Sequence, residues 1–186
     1  MEKPAEILFL EKTWGLTFTR LTGKEFERKR SKPDFIQKCF YASNKENKVW
    51  GMICRMELEE VNALTLLTDL TTLDLNYNQL SDVSALASMT KLTHLSLVGN
   101  YLRNVSDLAS LTELTYLDLS DNQLSDVSIL APLTKLTYID LSYNQLRDVN
   151  IPASFIHLKT LNISQNLLQI RSSKCFTTVS NKSILP

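Results

Sequence analysis

Leucines in the middle of the chain alternate with polar residues and recur every 22 positions. Within each unit, the pattern Thr-x-Leu-x-Leu places apolar side chains two residues apart. This spacing is typical of a short strand with one buried face. Residues at equivalent positions of successive units form columns of one kind of residue. Four such columns are Leu73, Leu95, Leu117, Ile139 and Leu161; Leu75, Leu97, Leu119, Leu141 and Ile163; Leu80, Leu102, Leu124, Leu146 and Leu168; and Asn78, Asn100, Asn122, Asn144 and Asn166.

A single strand of this kind is too short to bury its leucines alone. Stacking successive units pairs each strand in parallel with the next at about 4.8 Å and closes a continuous apolar interior. The second half of each unit, as in DVSILAPLT, is too short for a long helix. The sequence therefore predicts an α/β-class solenoid with a parallel β-sheet on its concave face and short 3₁₀ or loop segments on its convex face.

The asparagine column has a predicted structural role. An asparagine side chain carries N–H donors and a carbonyl acceptor, so it can satisfy backbone groups that the bend after each strand leaves without ladder partners. A polar ladder for binding is the alternative use of such a column, and we expect the structural one.

The unit L-x-x-L-x-L-x-x-N-x-L resembles the leucine-rich-repeat family. The 22-residue form, as in LTYLDLSDNQLSDVSILAPLTK, looks like the internalin type. It is also similar to the repeat protein that regulates protein phosphatase-1. The resemblance covers residues 61–170 and implies a right-handed solenoid that binds other proteins.

The predicted organisation has three parts. Residues 1–48 contain no repeat and are expected to cap the N-terminal end of the core. Residues 49–170 form the repeats, beginning with a degenerate coil at 49–69, where Gly51 and Met56 stand where Leu and Asn belong and Ile53 fits a core position. Residues 171–186 are expected to form an irregular tail.

Within the head, GLTFTRL alternates like a strand and GKEFERKRSK predicts a short helix that ends before Pro33. Asp34 could cap a second helix through DFIQKCFYA. The side chains expected to face inward from that second helix are Phe35, Ile36, Cys39 and Phe40.

The three cysteines, Cys39, Cys54 and Cys175, are scattered and odd in number, which favours reduced thiols over a disulfide framework. The chain shows neither a signal peptide nor an apolar stretch long enough to span a bilayer. A cytoplasmic protein without a membrane partner is therefore predicted, with secretion left open.

The formal net charge of zero disfavours a nucleic-acid partner. The charge is uneven, however: residues 1–48 hold 11 Lys/Arg against 7 Asp/Glu, and residues 49–186 hold 9 against 13. The basic run RKRSK could be solvated surface, a nuclear-localisation signal or a patch for an anionic partner.

Side chains that alternate with the core leucines are expected to face solvent on the concave side. Adjacent tyrosines beside a row of aspartates predict a protein-binding patch there, and the aspartates favour a partner with a basic surface. The candidate partner-binding residues are Tyr116, Tyr138, His94, Asp74, Asp118, Asp140, Asp121, Tyr77 and Tyr143.

Catalysis, a metal site and a cofactor are not predicted. His94 and His157 fall in different columns of different repeats. Asp118 and Asp140 form a carboxylate pair that any repeat array produces, and calcium needs 6–8 oxygens around one point. The predicted function is a protein-binding module. A truncated or structural fragment of a larger repeat receptor or adhesin, without binding activity of its own, is the alternative.

Overall fold

The computed structural model describes residues 3–30, 38–46, 48–148 and 152–168, and the backbone of residues 183–185. The described strands form one sheet in which they lie side by side in chain order. Neighbouring strands are parallel except β2 and β3. The strands are β1 (Phe18–Arg20), β2 (Lys38–Ser43), β3 (Val49–Arg55), β4 (Thr72–Asp74), β5 (His94–Ser96), β6 (Tyr116–Asp118), β7 (Tyr138–Asp140), β8 (Thr160–Asn162) and β9 (Ser183–Leu185).

Strands β4 to β8 each come from one repeat and pair in the register that the 22-residue columns predict. Their central residues are buried in one continuous core. On the other side of that core lie 3₁₀ turns, so the predicted solenoid is confirmed. We call the sheet face that points away from this core the concave face. The turns are Asn62–Leu66, Ser84–Ser88, Ser106–Ser110 and Ser128–Leu130.

Asn122 shows what the buried asparagine column does. Its Nδ2 donates to the carbonyl oxygens of Leu97 at 2.9 Å, Leu119 at 3.2 Å and Ser120 at 3.1 Å. Its Oδ1 accepts the backbone N–H of Leu102 at 3.1 Å. Because Leu97 and Leu102 belong to the preceding coil, the side chain ties two coils together. The structural interpretation of the column is confirmed.

A threonine column at the start of each strand forms a second ladder that the repeat pattern did not reveal. The hydroxyls of Thr93, Thr115 and Thr137 donate to the carbonyl oxygen of the threonine one coil earlier, at 3.0, 3.1 and 2.9 Å. Each coil is therefore fastened to the one before it at both ends of its strand.

The head follows its prediction in the first half and departs from it in the second. Strand β1 lies within GLTFTRL, and helix α2 spans Gly23–Arg30. The helix predicted through DFIQKCFYA is wrong, because Lys38–Ser43 forms strand β2, while residues 31–37 lie outside the described residues. Antiparallel pairing with β3 gives β2 the backbone hydrogen bonds that a helix would have made internally.

Two helices cover opposite faces of the head's strands. Helix α1 (Ala5–Trp14), which was not predicted, buries Ile7 and Leu10 in the main core. Helix α2 instead buries Phe26 against Ala42 and Ile53 in a separate cluster on the concave side. The head is thus a folded part of the core, and its predicted role as a cap remains a prediction.

The register of the first coil differs from its prediction by one residue. Met52, and not Gly51, is aligned with Leu73, which places Ile53 beside Asp74 on the concave face. The prediction that Ile53 fills a core leucine position is wrong. The reason is that β3 and β4 are aligned 21 positions apart, one fewer than in the regular repeats.

Cys39 and Cys54 face each other across β2 and β3 and form a disulfide, with their Cα atoms 4.1 Å apart. The prediction of reduced thiols is wrong for this pair. Once β2 is read as a strand, the antiparallel turn brings the two residues together. Cys175 lies outside the described residues.

The C-terminal end retains more order than predicted. Phe155, in the unit IPASFIHLKTL, is buried at the position of a core leucine. Residues 183–185, expected to be part of an irregular tail, form β9 and pair in parallel with β8. Residues 169–182 lie outside the described residues, so the rest of the tail prediction is untested.

Candidate protein-binding face

Three aromatic rings stack along the concave face, one from each of three neighbouring strands. The ring centroids of His94 and Tyr116 are 5.9 Å apart with planes 18° apart. Those of Tyr116 and Tyr138 are 4.4 Å apart with planes 4° apart. We call these residues the aromatic ladder. The repeat brings them together because equivalent residues on parallel strands stand about 4.8 Å apart.

All three rings are half-buried, and that of Tyr116 is stacked between those of His94 and Tyr138. Burial, together with the carboxylates of Asp140 and Asp118, raises the pKa of Tyr138 to about 12. The Tyr138 hydroxyl lies 3.4 Å from Oδ2 of Asp140 and donates toward it. This hydroxyl therefore stays protonated at neutral pH and serves as a donor to Asp140.

Asp118 and Asp140 occupy aligned positions on β6 and β7 beside the ladder. Oδ1 of Asp118 accepts the backbone N–H of Ser120 at 3.1 Å and its hydroxyl at 2.7 Å. Oδ1 of Asp140 accepts the same two groups of Ser142 at 2.9 and 2.6 Å. Oδ2 of Asp140 also accepts from Nδ2 of Asn162 at 2.8 Å.

The pKa of Asp118 is raised by burial, and further by the negative charges of Asp140 and Asp74. The hydrogen bonds from Ser120 lower it in part. The concave face therefore holds carboxylates whose mutual repulsion is only partly balanced by hydroxyl and amide donors.

Asp74 is the clearest departure from the predicted binding residues. It was expected to face solvent, but it is only 2 % exposed and pairs with Arg55. Nη2 of Arg55 lies 2.6 Å from Oδ2 of Asp74, and Nε lies 3.4 Å from Oδ1. Thr72, another residue of the predicted solvent-facing columns, is also buried. Both lie next to the coil whose register was misjudged, which is why Arg55 was missed.

The remaining predicted residues lie at the end of the strands, where the chain turns. Tyr77, Asp121 and Tyr143 all have positive φ angles, of 55°, 54° and 53°. Tyr77 and Tyr143 are 42 % and 60 % exposed, so they form the rim of the concave face. Tyr77 packs over Gly99, where a Cβ atom would stand 2.7 Å from the tyrosine ring.

A half-open groove of about 480 Å³ runs across the first half of the concave face. It begins at the Arg55–Asp74 pair, passes His94 and Tyr116, and ends at Asp118. Its remaining lining residues are Thr72, Leu73, Asn76, Tyr77, Leu95, Ser96, Val98 and Ser120. The structure thus brings Tyr77, His94, Tyr116 and Asp118 together around one groove.

Other kinds of site find less support in the described part of the chain. Within the described ranges, histidine, cysteine and acidic side chains do not gather in threes around a point where a metal ion could be held. Among those same residues, neither helix has the length and apolar character needed to cross a membrane.

Comparison with known families identifies the repeats. The sequence profile described as Leucine Rich repeats (2 copies) matches residues 68–110, 90–132 and 112–152. The crystal structure of internalin C2 from Listeria monocytogenes superposes with a TM-score of 0.68 at 29 % identity. Residues 68–152 are therefore leucine-rich repeats, and the fold of the chain is internalin-like. That superposition covers 78 % of this chain and 67 % of internalin C2.

Two further Listeria monocytogenes structures are similar to this chain. The functional domain of InlJ, whose structure includes a cysteine ladder, superposes with a TM-score of 0.59 at 28 % identity and covers 69 % of this chain. Internalin InlF superposes with a TM-score of 0.52 at 25 % identity and covers 64 %. The matched part spans only 28 % of the first structure and 42 % of the second. A search of curated proteins found no match.

Leucine-rich-repeat domains generally mediate protein–protein interactions and are typically non-enzymatic.

Proposed function

We propose that this protein binds another protein through its concave face, with the aromatic ladder at the centre of the interface. The ladder itself carries the proposal, because three stacked rings beside an open groove offer a large contact surface. Tyrosine is enriched in interface cores, where it combines an apolar ring with a hydrogen-bonding hydroxyl. Stacking holds the rings in place before binding, so little rotamer freedom remains to be lost.

The charges around the ladder favour a partner with a basic surface. Asp118 and Asp140 lie on the face, and Asp121 is exposed at its rim. Negative potential of this kind attracts a positively charged protein and speeds its encounter. It repels the phosphates of a nucleic acid. Tyr77 and Tyr143 extend the contact area to the rim.

We place this function in an oxidising compartment. Disulfides persist in secreted and extracellular proteins and are rare in the cytosol, where thiols are kept reduced. The Cys39–Cys54 bond therefore weighs against the cytoplasmic location that the cysteine pattern suggested.

The experiment compares proteins captured from an extract of the source organism by three immobilised forms of this chain. The forms are the wild type, the double variant Tyr116→Ala, Tyr138→Ala, and Ile129→Ala as a control. Ile129 is 44 % exposed in the 3₁₀ turn Ser128–Leu130 on the convex side. We expect the wild type and the control to retain the same proteins and the double variant to lose them, with its melting temperature little changed.

Three results would contradict the proposal. If the double variant retained every protein that the wild type retains, the ladder would not be the binding surface. If the wild type itself captured no protein, the chain would instead be a structural fragment without binding activity of its own. If Ile129→Ala alone lost them, the function would lie on the convex side.

A further inference from the structure

The chain already shows how this face holds a cation. An aspartate stands at the same strand position on β4, β6 and β7: Asp74, Asp118 and Asp140. On β4 the position is filled, because the guanidinium of Arg55 lies against Asp74 through two of its nitrogens. Both side chains are more than nine-tenths buried. The first aspartate of the column is thus neutralised from within the chain.

The next two aspartates receive no such cation from the described part of the chain. Ion pairs among the described residues include those of Lys3 with Glu11, Lys48 with Glu46, Arg55 with Asp74, Lys91 with Asp69 and Lys135 with Glu113, none of which involves Asp118 or Asp140. Asp118 and Asp140 accept only from neutral groups among the hydrogen bonds described above. Two aligned carboxylates therefore share a partly buried position without a counter-charge from those residues.

The groove gives a long side chain access to Asp118, and Asp140 is aligned with Asp118 on the next strand. It runs over Val98 and Tyr116 and ends at Asp118, with Tyr77 on its rim. An aliphatic stem could lie on these apolar surfaces while its charged end reaches the carboxylate. A guanidinium suits the site better than an ammonium, because it is planar, weakly hydrated, and able to contact both an aromatic ring and a carboxylate.

We propose that this groove binds an arginine side chain of the protein partner, with the guanidinium against Asp118 and Asp140. The inference rests on the proposed function and names the chemistry that the concave face would recognise. At Asp118, two strands further along the sheet than Asp74, the partner's arginine would repeat the contact that Arg55 makes with Asp74. Charge complementarity between the groove and a cationic segment carries the choice of occupant.

The test uses three capped peptides of sequence Ser-Gly-X-Gly-Ser, in which X is arginine, citrulline or lysine. Citrulline keeps the shape of arginine and lacks its charge. Binding is followed by the shifts of the backbone amide signals of Ser120 and Ser142, which donate to the two carboxylates. We expect the arginine peptide to bind about tenfold or more tightly than the citrulline peptide, since a charge-assisted hydrogen bond is lost. The lysine peptide should lie between them.

A matched pair of variants locates the binding. Asp126 accepts the N–H and hydroxyl of Ser128, much as Asp118 accepts those of Ser120, but lies beside the convex turn. Asp118→Asn should weaken the arginine peptide about tenfold or more, and Asp126→Asn should leave it unchanged. Equal binding of arginine and citrulline peptides, or equal effects of the two variants, would overturn the inference. If the ladder variants still lost their captured protein, the proposed function would stand without it.

Discussion

The ring of Phe26 lies directly on the backbone of Gly51, where a Cβ atom would stand 2.7 Å from the Cζ atom of the ring. Phe26 is fully buried, and its ring meets the edge of Trp50 at a centroid distance of 5.1 Å. This contact fastens α2 to the concave side of β3. Glycine is required at residue 51 because any side chain would occupy the space of the ring.

Gly51→Ala should therefore destabilise the protein by about 1–3 kcal/mol, as overpacking of a full core does. It should also change the fluorescence of Trp50 by displacing its aromatic neighbour. Gly23→Ala is the matched control, because a Cβ atom there would lie 3.9 Å from Trp50, an ordinary contact. Chemical denaturation of both variants measures the difference, and equal stabilities would show that Phe26 does not need this space.

Asn122→Ala should cost about 1–3 kcal/mol, because it leaves buried backbone groups of two coils without hydrogen-bond partners. Gln145→Ala, at an exposed turn position of the next repeat, should change the free energy of unfolding by less than about 0.5 kcal/mol. Equilibrium denaturation in urea measures both. Similar losses in the two variants would mean that the asparagine ladder does not hold the coils together.

The disulfide closes a loop with a sequence separation of 15 residues, so breaking it should cost about 3 kcal/mol. The double variant Cys39→Ala, Cys54→Ala should melt at a lower temperature than the oxidised wild type, and its melting should not respond to a reducing agent. Alkylation in denaturant provides the control: it should modify one of the three cysteines before reduction and all three afterwards. Modification of all three before reduction would exclude the bond.

Because the pKa of Asp118 is raised in the folded protein, ionisation of this carboxyl lowers the stability of the fold. The folded protein holds this proton more tightly than the unfolded chain, so the contribution of Asp118 declines as pH rises from 3.8 through the raised folded pKa. Asp118→Asn should therefore raise the melting temperature at pH 7, with the gain shrinking as the pH falls. Asp126, whose pKa is lowered mainly by the backbone N–H of Ser128, should show the opposite trend when changed to Asn. Parallel pH profiles of melting temperature would contradict both assignments.

The repeats could be predicted from the sequence because each coil places the same residue types in the same surroundings. The positions of Leu117 and Asn122 were predicted correctly, since the equivalent residues in the coils on both sides are of the same kind: aliphatic for Leu117 and asparagine for Asn122. The ladder of Tyr116 and Tyr138 follows from the same register. Periodicity alone was enough to predict the solenoid and the positions of most residues on the concave face.

The head could not be predicted in this way, because its contacts join residues that share no pattern. The Cys39–Cys54 bond depends on an antiparallel turn, and the Phe26–Gly51 contact depends on a helix crossing a strand. Asp74 was misplaced for the same reason. Its partner Arg55 lies in the one coil where the 22-residue spacing shortens by a residue.

The asparagine and threonine ladders allow the number of repeats in this protein to change. Outside their own coil, the side chains of Asn122 and Thr115 bond only to the preceding coil, and their counterparts in the neighbouring coils make the same bonds. Copying or deleting one 22-residue unit between β5 and β7 would therefore preserve the asparagine and threonine hydrogen bonds at the new junction. Each added unit would widen the concave face by about 4.8 Å. Unequal recombination within the gene could thus lengthen or shorten the binding surface while the fold is kept. The head could not be shortened in this way, because its contacts are not repeated.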